Sequence, residues 1–144
     1  MSRIYVASSW RNKIQPEVVK VLRYHGHQVY DFKNPPGNAG FAWKDIEENY
    51  QQWTARQYRE KLLSHPSAAQ GYMSDMRAME WADTCVLVLP CGRSAHLEAG
   101  WFAGRGKRCI ILTRDGEEPE LMALMANKIC VDQNELLAEL DGGL

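Results

Sequence analysis

Glu98 is the residue in this sequence whose surroundings most favour chemistry. It follows an apolar segment, residues 84–89, by one short loop and one helical turn, and small or apolar residues flank it: Leu97, Ala99 and Gly100. A carboxylate near a helix N-terminus is stabilised by the helix dipole by about 0.3–1 kcal/mol, and that alone would explain a Glu here. A carboxylate in such a pocket can instead attack a sugar carbon and form a covalent glycosyl ester.

Hydroxyl and guanidinium groups occur in two loops that follow predicted strands. One loop follows residues 4–7 and the other follows residues 84–89. Together with the amides at a helix N-terminus, such groups would suit a phosphate group. Helix capping by the serines and a solvated surface for the arginines is the alternative. The candidate binding residues are Ser8, Ser9, Trp10 and Arg11 in the first loop and Gly92, Arg93, Ser94 and His96 in the second.

The glycines after residue 98 do not form a nucleotide-binding motif. Gly100, Gly104, Gly106 and Lys107 miss the spacing G-x-x-x-x-G-K-[ST] by one residue, and Arg108 stands where a hydroxyl is needed. No G-x-G-x-x-G follows the first predicted strand, so dinucleotide binding and ATP hydrolysis lose their main support. These glycines are predicted to end a helix and to allow close packing on the next strand.

The cysteines and histidines give no reason to expect a metal or another cofactor. The four residues of each type lack metal-ligand spacing, and no C-x-x-C pair occurs. Cys85, Cys109 and Cys130 are predicted to be small buried core residues. Cys91 is a weaker candidate nucleophile, because only His96 is near it in sequence.

Length and composition predict one globular α/β domain over residues 1–144. Hydrophobic residues make up 45% of the chain, charged residues 24%, and the formal net charge is -1. That charge disfavours a nucleic-acid partner. The longest apolar run is far shorter than the ~20 residues that span a bilayer, and no signal peptide is visible, so we expect no membrane association and a cytoplasmic location.

Short apolar segments alternate with helical patterns. This alternation predicts a flavodoxin-like or Rossmann-like doubly wound sheet of five parallel strands in the order 2-1-3-4-5, with ligands bound where strands 1 and 3 diverge. The predicted strands are residues 4–7, 27–30, 84–89, 109–112 and 129–131. The predicted helices are residues 15–25, 67–81 with a capping box at Ser67, a helix from Ser94 to Gly104 or Gly106, residues 119–126, and a last one capped by Asn134.

Residues 34–63 form an insert that is too long for a plain connection. Its Pro, Gly, Asn and aromatic content is typical of a lid or specificity loop, and residues 54–63 look helical. The aromatic side chains could stack on a planar ligand or could fasten the insert to the body of the protein. They are Trp43, Tyr50, Trp53 and Tyr58.

The sequence EAGWFAGRGK at residues 98–107 resembles the nucleoside 2-deoxyribosyltransferase family and its relatives, the nucleoside 5'-monophosphate N-glycosidases. These proteins carry E-x-G-[YW] and a Gly-Lys at the same spacing. His96 matches the H-x-E-x-G-W form of the monophosphate-hydrolysing members. Residues 4–10, IYVASSW, are similar to the family's opening, and the resemblance covers residue 3 to about 131.

The resemblance implies a two-step reaction on a small nucleoside or nucleotide, in a homo-oligomer (a dimer or higher). Glu98 would be the nucleophile, Tyr5 would hold it, and Asp75 would protonate the leaving base. Asn127 would reach the site of a neighbouring subunit. From the residues alone, Tyr5 could equally be a core residue, Asp75 a partner of Arg77 or part of a solvated helix face, and Asn127 a left-handed helix cap. Helix rise also places Asp75 about halfway down the sheet.

One position departs from the family pattern. Six residues before the nucleophile, the transferases carry a substrate-binding Asp and the monophosphate glycosidases tend to carry Ser, whereas this chain has Gly92, with Ser94 two residues later. The difference disfavours transfer between free nucleosides, and the hydroxyl and guanidinium groups of the two loops slightly favour a nucleotide substrate. The alternative to an enzyme is a non-catalytic nucleotide-binding or sensing module of the same fold.

Overall fold

The computed structural model describes residues 1–142. By their internal contacts, these residues form two compact units. The first consists of residues 1–31 and 79–142, and the second of Phe32–Ala78. The helices are α1 (Gln15–Tyr24), α2 (Ala55–Ser64), α3 (Pro66–Trp81), α4 (Arg93–Gly104) and α5 (Gln133–Gly142).

The first unit is built on a five-stranded parallel sheet. Its strand order is β2-β1-β3-β4-β5, which confirms the predicted doubly wound topology. Neighbouring strands pair in parallel throughout, so their carboxyl ends meet at one edge of the sheet. The strands are β1 (Arg3–Ala7), β2 (Gln28–Asp31), β3 (Thr84–Val88), β4 (Arg108–Leu112) and β5 (Lys128–Cys130).

Both faces of the sheet are covered, which explains why the strands are apolar without alternation. Val6, Val86 and Ile110 lie side by side in register and belong to the core cluster that includes residues of α1 and α5. The preceding position, Tyr5 and Cys85, points to the opposite face. The predicted burial of three cysteines is confirmed for Cys85, Cys109 and Cys130.

Ser67 and Asn134 do not cap the helices that they were predicted to begin. Ser67 lies inside α3, which begins at Pro66, a residue whose fixed φ suits a first helical turn. Asn134 lies inside α5, and the cap is Asp132, whose Oδ1 accepts a hydrogen bond from the backbone N–H of Glu135 at 2.8 Å.

Residues 119–126 form only a short 3-10 helix, Leu121–Met125, where an α-helix was predicted. The backbone N–H of Asn127 donates to the Cys109 carbonyl at 2.8 Å. The chain therefore bonds to β4 two residues after this 3-10 helix ends. Residues 119–126 have space for little more than one tight turn.

α4 ends at Gly104, one of the two predicted positions, and Gly106 lies two residues beyond it. Gly106 has a φ of +71°, which favours glycine, and the N–H of Lys107 donates to the carbonyl of Phe102 at 2.9 Å. This six-to-one bond closes the helix.

Lys107 then fastens the end of α3. Its Nζ donates to the carbonyls of Met79, Glu80 and Ala82 at 3.0, 2.8 and 2.7 Å, and burial lowers its pKa. We expect Lys107→Met to lower the free energy of unfolding by about 1–3 kcal/mol, because three carbonyls lose a charged donor. Urea unfolding measures this. Lys20→Met, at an exposed lysine of α1, is the control, and an equal loss in both variants would contradict the capping role.

The second unit contains two 3-10 turns, Trp43–Asp45 and Tyr50–Gln52, followed by α2 and the first part of α3. The predicted helix near residues 54–63 is confirmed as α2, and Thr54 and Gln57 form a capping box at its start. Phe41 packs directly over Gly71, where an added Cβ would lie 2.9 Å from the Phe41 Cβ.

The aromatic side chains of the insert pack against one another. The ring of Trp43 makes edge-to-face contacts with Phe41, Trp53 and Tyr58 at centroid distances of 5.0, 6.1 and 5.9 Å, and Tyr50 lies edge-on to Trp53 at 6.5 Å. This cluster supplies the apolar packing of the insert. Its stacking on a ligand stays a prediction.

Candidate active site

Tyr5 and Glu98 form the centre of the candidate site. The Tyr5 hydroxyl donates a hydrogen bond to Oε2 of Glu98. The Tyr5 side chain is almost fully buried, and its ring stacks on Tyr30 at 5.3 Å and tilts against Phe102 at 5.8 Å. The Tyr5 ring is therefore held by packing on two sides, and this fixes the direction of its hydrogen bond to Glu98.

The folding of α4 explains why Glu98 faces the sheet. Ala95, Ala99 and Phe102 are buried on one side of this helix. Glu98 lies three residues after the first of them and four before the last, so it shares their face. Because α4 follows β3 directly and packs on β1, β3 and β4, this face lies over the strand that carries Tyr5.

The serines of the β1–α1 loop bind backbone groups. Ser8 donates through Oγ to the Val88 carbonyl at 2.8 Å, and the Ser9 Oγ accepts from the N–H of Arg11 at 3.1 Å. Trp10 and Arg11 are exposed. The loop thus has a fixed backbone and two large side chains that extend from it.

The β3–α4 loop ends at Gly92, which is the N-cap of α4. The prediction that Ser94 caps this helix is wrong, since Ser94 is already its second residue. Gly92 has no side chain, so it offers no capping acceptor to the first amides of α4. Arg93 and Ser94 are exposed beside these amides, and the His96 Nδ1 lies 3.0 Å from the Gly92 carbonyl.

Cys91 is half-buried at the same loop. Its Sγ is 3.6 Å from Nδ1 of His96. Burial raises the pKa of this thiol to about 11, so it is protonated at neutral pH. The environment disfavours a thiolate, and this argues against Cys91 as the nucleophile.

Asp75 belongs to the second unit and Asn127 to the first. Asp75 is partly buried on α3 in the second unit, and its role stays a prediction. The Asn127 Oδ1 accepts from the Cys109 N–H at 2.8 Å and so fastens the start of β5 to β4. No residue other than glycine has a positive φ within residues 1–142, so the interpretation of Asn127 as a left-handed cap is wrong.

No pattern in the sequence singles out Asn12, although the structure buries it between the two loops. Its side chain bonds to the carbonyls of Val88 and Pro90, 76 and 78 residues away. The one local signal was an Asn just before a helix, which is typical of an ordinary cap.

An apolar groove of about 330 Å³ lies beside α4. His96, Ala99 and Gly100 contribute to one side and Met122 and Met125 to the other. Across the part of the chain that the structure describes, no group of three or more potential metal ligands occurs. No helix in residues 1–142 is both long and apolar enough to span a bilayer.

Solved structures share this architecture. A 2-deoxyribosyltransferase from Bacillus psychrosaccharolyticus aligns over 92% of this chain and 88% of its own with a TM-score of 0.66, at 21% sequence identity. The chain has the fold of a 2-deoxyribosyltransferase. A CMP N-glycosidase from Clostridium botulinum aligns over 96% of this chain and 98% of its own with a TM-score of 0.56, at 18% identity.

A conserved protein from Enterococcus faecalis V583 has the same fold. It aligns over the whole of this chain and 99% of its own with a TM-score of 0.63, at 15% identity. No family model and no curated protein sequence matches the chain. The comparisons therefore confirm the fold that the sequence resemblance predicted.

Proposed function

We propose that this protein cleaves the N-glycosidic bond of a (2'-deoxy)nucleoside or nucleoside 5'-monophosphate through a covalent glycosyl intermediate on Glu98. The observation that carries the proposal is the hydrogen bond from the buried Tyr5 hydroxyl to the Glu98 carboxylate. The likeness of the fold to a 2-deoxyribosyltransferase and a CMP N-glycosidase supports the same class of reaction.

In the first step a carboxylate oxygen of Glu98 attacks C1' of the sugar. The C1'–N bond breaks, and its electron pair leaves with the base, which Asp75 protonates. The transition state has oxocarbenium character, so the negative charge next to C1' stabilises it. Tyr5 keeps one oxygen of the carboxylate engaged and thereby orients the other.

In the second step the glycosyl ester is resolved. Water gives up a proton to a general base and attacks C1', the bond between C1' and the Glu98 oxygen breaks, and the carboxylate is restored. A second free base can take the place of water, which would make the reaction a transfer. Adding a second base during turnover and looking for a new nucleoside or nucleotide separates the two outcomes.

The two loops at the carboxyl ends of β1 and β3 would bind the substrate. Arg11 and Arg93 extend from them into solvent, and the uncapped amides of α4 lie next to Arg93. Guanidinium groups and helix amides are strong phosphate partners. We therefore favour a 5'-monophosphate as the substrate, bound by Ser8, Ser9, Trp10, Arg11, Gly92, Arg93, Ser94 and His96.

We expect Arg11→Ala and Arg93→Ala each to raise the KM for a 5'-monophosphate by about tenfold, because each would remove one charged contact to phosphate. The KM for the matching nucleoside should change little, which makes the nucleoside an internal control. Steady-state kinetics on both substrates measures the difference. Equal losses on both substrates would contradict a phosphate pocket.

Release of free base from a panel of nucleosides and 5'-monophosphates tests the function itself. The wild-type protein should liberate base from at least one of them, as measured by liquid chromatography. If it binds a nucleotide and liberates no base from any compound, the alternative of a nucleotide-sensing module is correct.

A homo-oligomer is part of this proposal. Large apolar side chains on the first unit are exposed in and near the 3-10 helix Leu121–Met125, and groups of such residues often mark contact surfaces. We propose that this surface contacts a second copy. The residues are Leu121, Met122, Leu124, Met125 and Val131.

A further inference from the structure

Asn12 joins the two loops that border the candidate site. Its side chain is 4% exposed. Its Nδ2 donates to the carbonyls of Val88 at 3.3 Å and Pro90 at 3.0 Å, and its Oδ1 accepts from the N–H groups of Ile14 and Gln15, both at 2.9 Å. These four bonds match the two donor hydrogens and the two lone pairs of a carboxamide.

The partners of Asn12 lie on different elements. Ile14 is the N-cap of α1 and Gln15 its first residue, whereas Val88 ends β3 and Pro90 lies in the loop that leads to α4. The Val88 carbonyl also accepts from the Ser8 hydroxyl at 2.8 Å. Two side chains of the first loop thus hold the backbone of the second at the point where it leaves the sheet.

This contact continues to a third strand. The Gln15 Nε2 donates to Oδ1 of Asp31 at 2.9 Å, and both side chains are buried. Asp31 ends β2, so a chain of buried polar groups crosses the carboxyl ends of β2, β1 and β3 in their order in the sheet. The Gln15 Oε1 in this chain of polar groups accepts no hydrogen bond within residues 1–142, whereas both polar atoms of the Asn12 side chain are bonded. Bonds between buried groups fix one local geometry, because breaking them leaves further polar groups unpaired at a cost.

We propose that Asn12 is a positioning residue for the reaction proposed above: it sets the path of the β3–α4 loop and so the place from which Glu98 meets the sugar. The inference rests on the proposed function for its effect on turnover. Its structural part, the position of the loop, can be measured without any activity. A displacement of about 1 Å can cost on the order of 10²-fold in rate, so a small shift of this loop would lower turnover measurably.

Asn12→Ser is the informative variant. A serine hydroxyl can still accept from the N–H groups at the start of α1, and the local turn is kept. It is too short to reach the carbonyls of Val88 and Pro90. We expect kcat to fall by about 10-fold to 30-fold while KM stays within about threefold, because Asn12 is not proposed to touch the substrate. Asn12→Ala, which loses both sets of bonds, should lose at least as much.

Cys91 reports on the loop independently of turnover. It is the half-buried cysteine directly after Pro90, whereas Cys85, Cys109 and Cys130 are buried. Alkylation by iodoacetamide at pH 8, followed by peptide mass spectrometry, should be slow at Cys91 in the wild type. In Asn12→Ser it should be faster by about tenfold or more, since the loop is no longer held.

Leu140→Ala is the matched control. It removes core packing from α5, which contributes no residue to either loop, and it should lower the melting temperature without changing kcat or the Cys91 rate. The inference is overturned if Asn12→Ser keeps the wild-type kcat and Cys91 rate, or if Leu140→Ala changes both as much. If the wild type releases no base, the proposed function fails, and the Cys91 rates alone decide whether Asn12 holds the loop.

Discussion

Replacing Glu98 by Gln is expected to reduce base release on the order of 10³-fold or more, because an amide cannot form and resolve a glycosyl ester. The fold should be kept. Glutamine has the same shape, and its amide oxygen can still accept the hydrogen bond from Tyr5. Initial rates of base release at saturating substrate measure the first effect, and circular dichroism melting measures the second.

Glu17→Gln makes the same chemical change at an exposed carboxylate of α1 and should leave the rate unchanged. In the wild type, acid quenching during turnover should trap a sugar adduct on the peptide that contains residue 98. Near-normal turnover by Glu98→Gln, or an adduct found on another residue, would remove Glu98 from the chemistry.

The sheet could be predicted because its physical cause is local. Segments such as Thr84–Val88 are buried along their whole length, and a parallel sheet covered on both faces requires apolar residues at every position. Right-handed crossovers then allow few topologies, and the observed strand order agrees with the prediction.

Helix ends were less predictable because several residue types can begin a helix. Ser94 and Asn134 have side chains that commonly cap helices, yet Gly92 and Asp132 occupy the capping positions. Which of two neighbouring residues caps the helix depends on where the preceding strand ends. That point is set by pairing with distant strands, and a local pattern does not contain it.

The candidate site also contains residues that could be predicted from the sequence and one that could not. Glu98 could be found because its helix begins just after a buried strand, and a resemblance to a known family pointed to Tyr5 as its partner. Asn12 could not be found, because its donors act on carbonyls 76 and 78 residues away. Backbone acceptors carry no signature in the sequence of either partner. Only the folded chain shows that the two loops depend on one side chain.

Tyr5→Phe is expected to lower kcat by about 100-fold, the size of effect seen when one preorganised donor is removed from an active site. The ring should keep its packing on Tyr30 and Phe102, so the loss reports on the hydroxyl alone. Without this donor the negative charge on Glu98 is less stabilised, and the carboxylate takes up a proton at higher pH. Rates of base release between pH 4 and pH 9 measure both effects.

The direction of the pH change distinguishes two explanations of a slow Tyr5→Phe enzyme. If the hydroxyl holds the ionised nucleophile, the pH at half-maximal activity on the acid side moves upward, because the active form is the carboxylate. If Tyr5 is only a core residue, that pH stays where it is in the wild type, and any loss follows the loss of stability. Tyr30→Phe removes a hydroxyl from the neighbouring stacked ring and should leave this acid limb unchanged. An unshifted acid limb in Tyr5→Phe would show that the contact between Tyr5 and Glu98 is packing rather than chemistry.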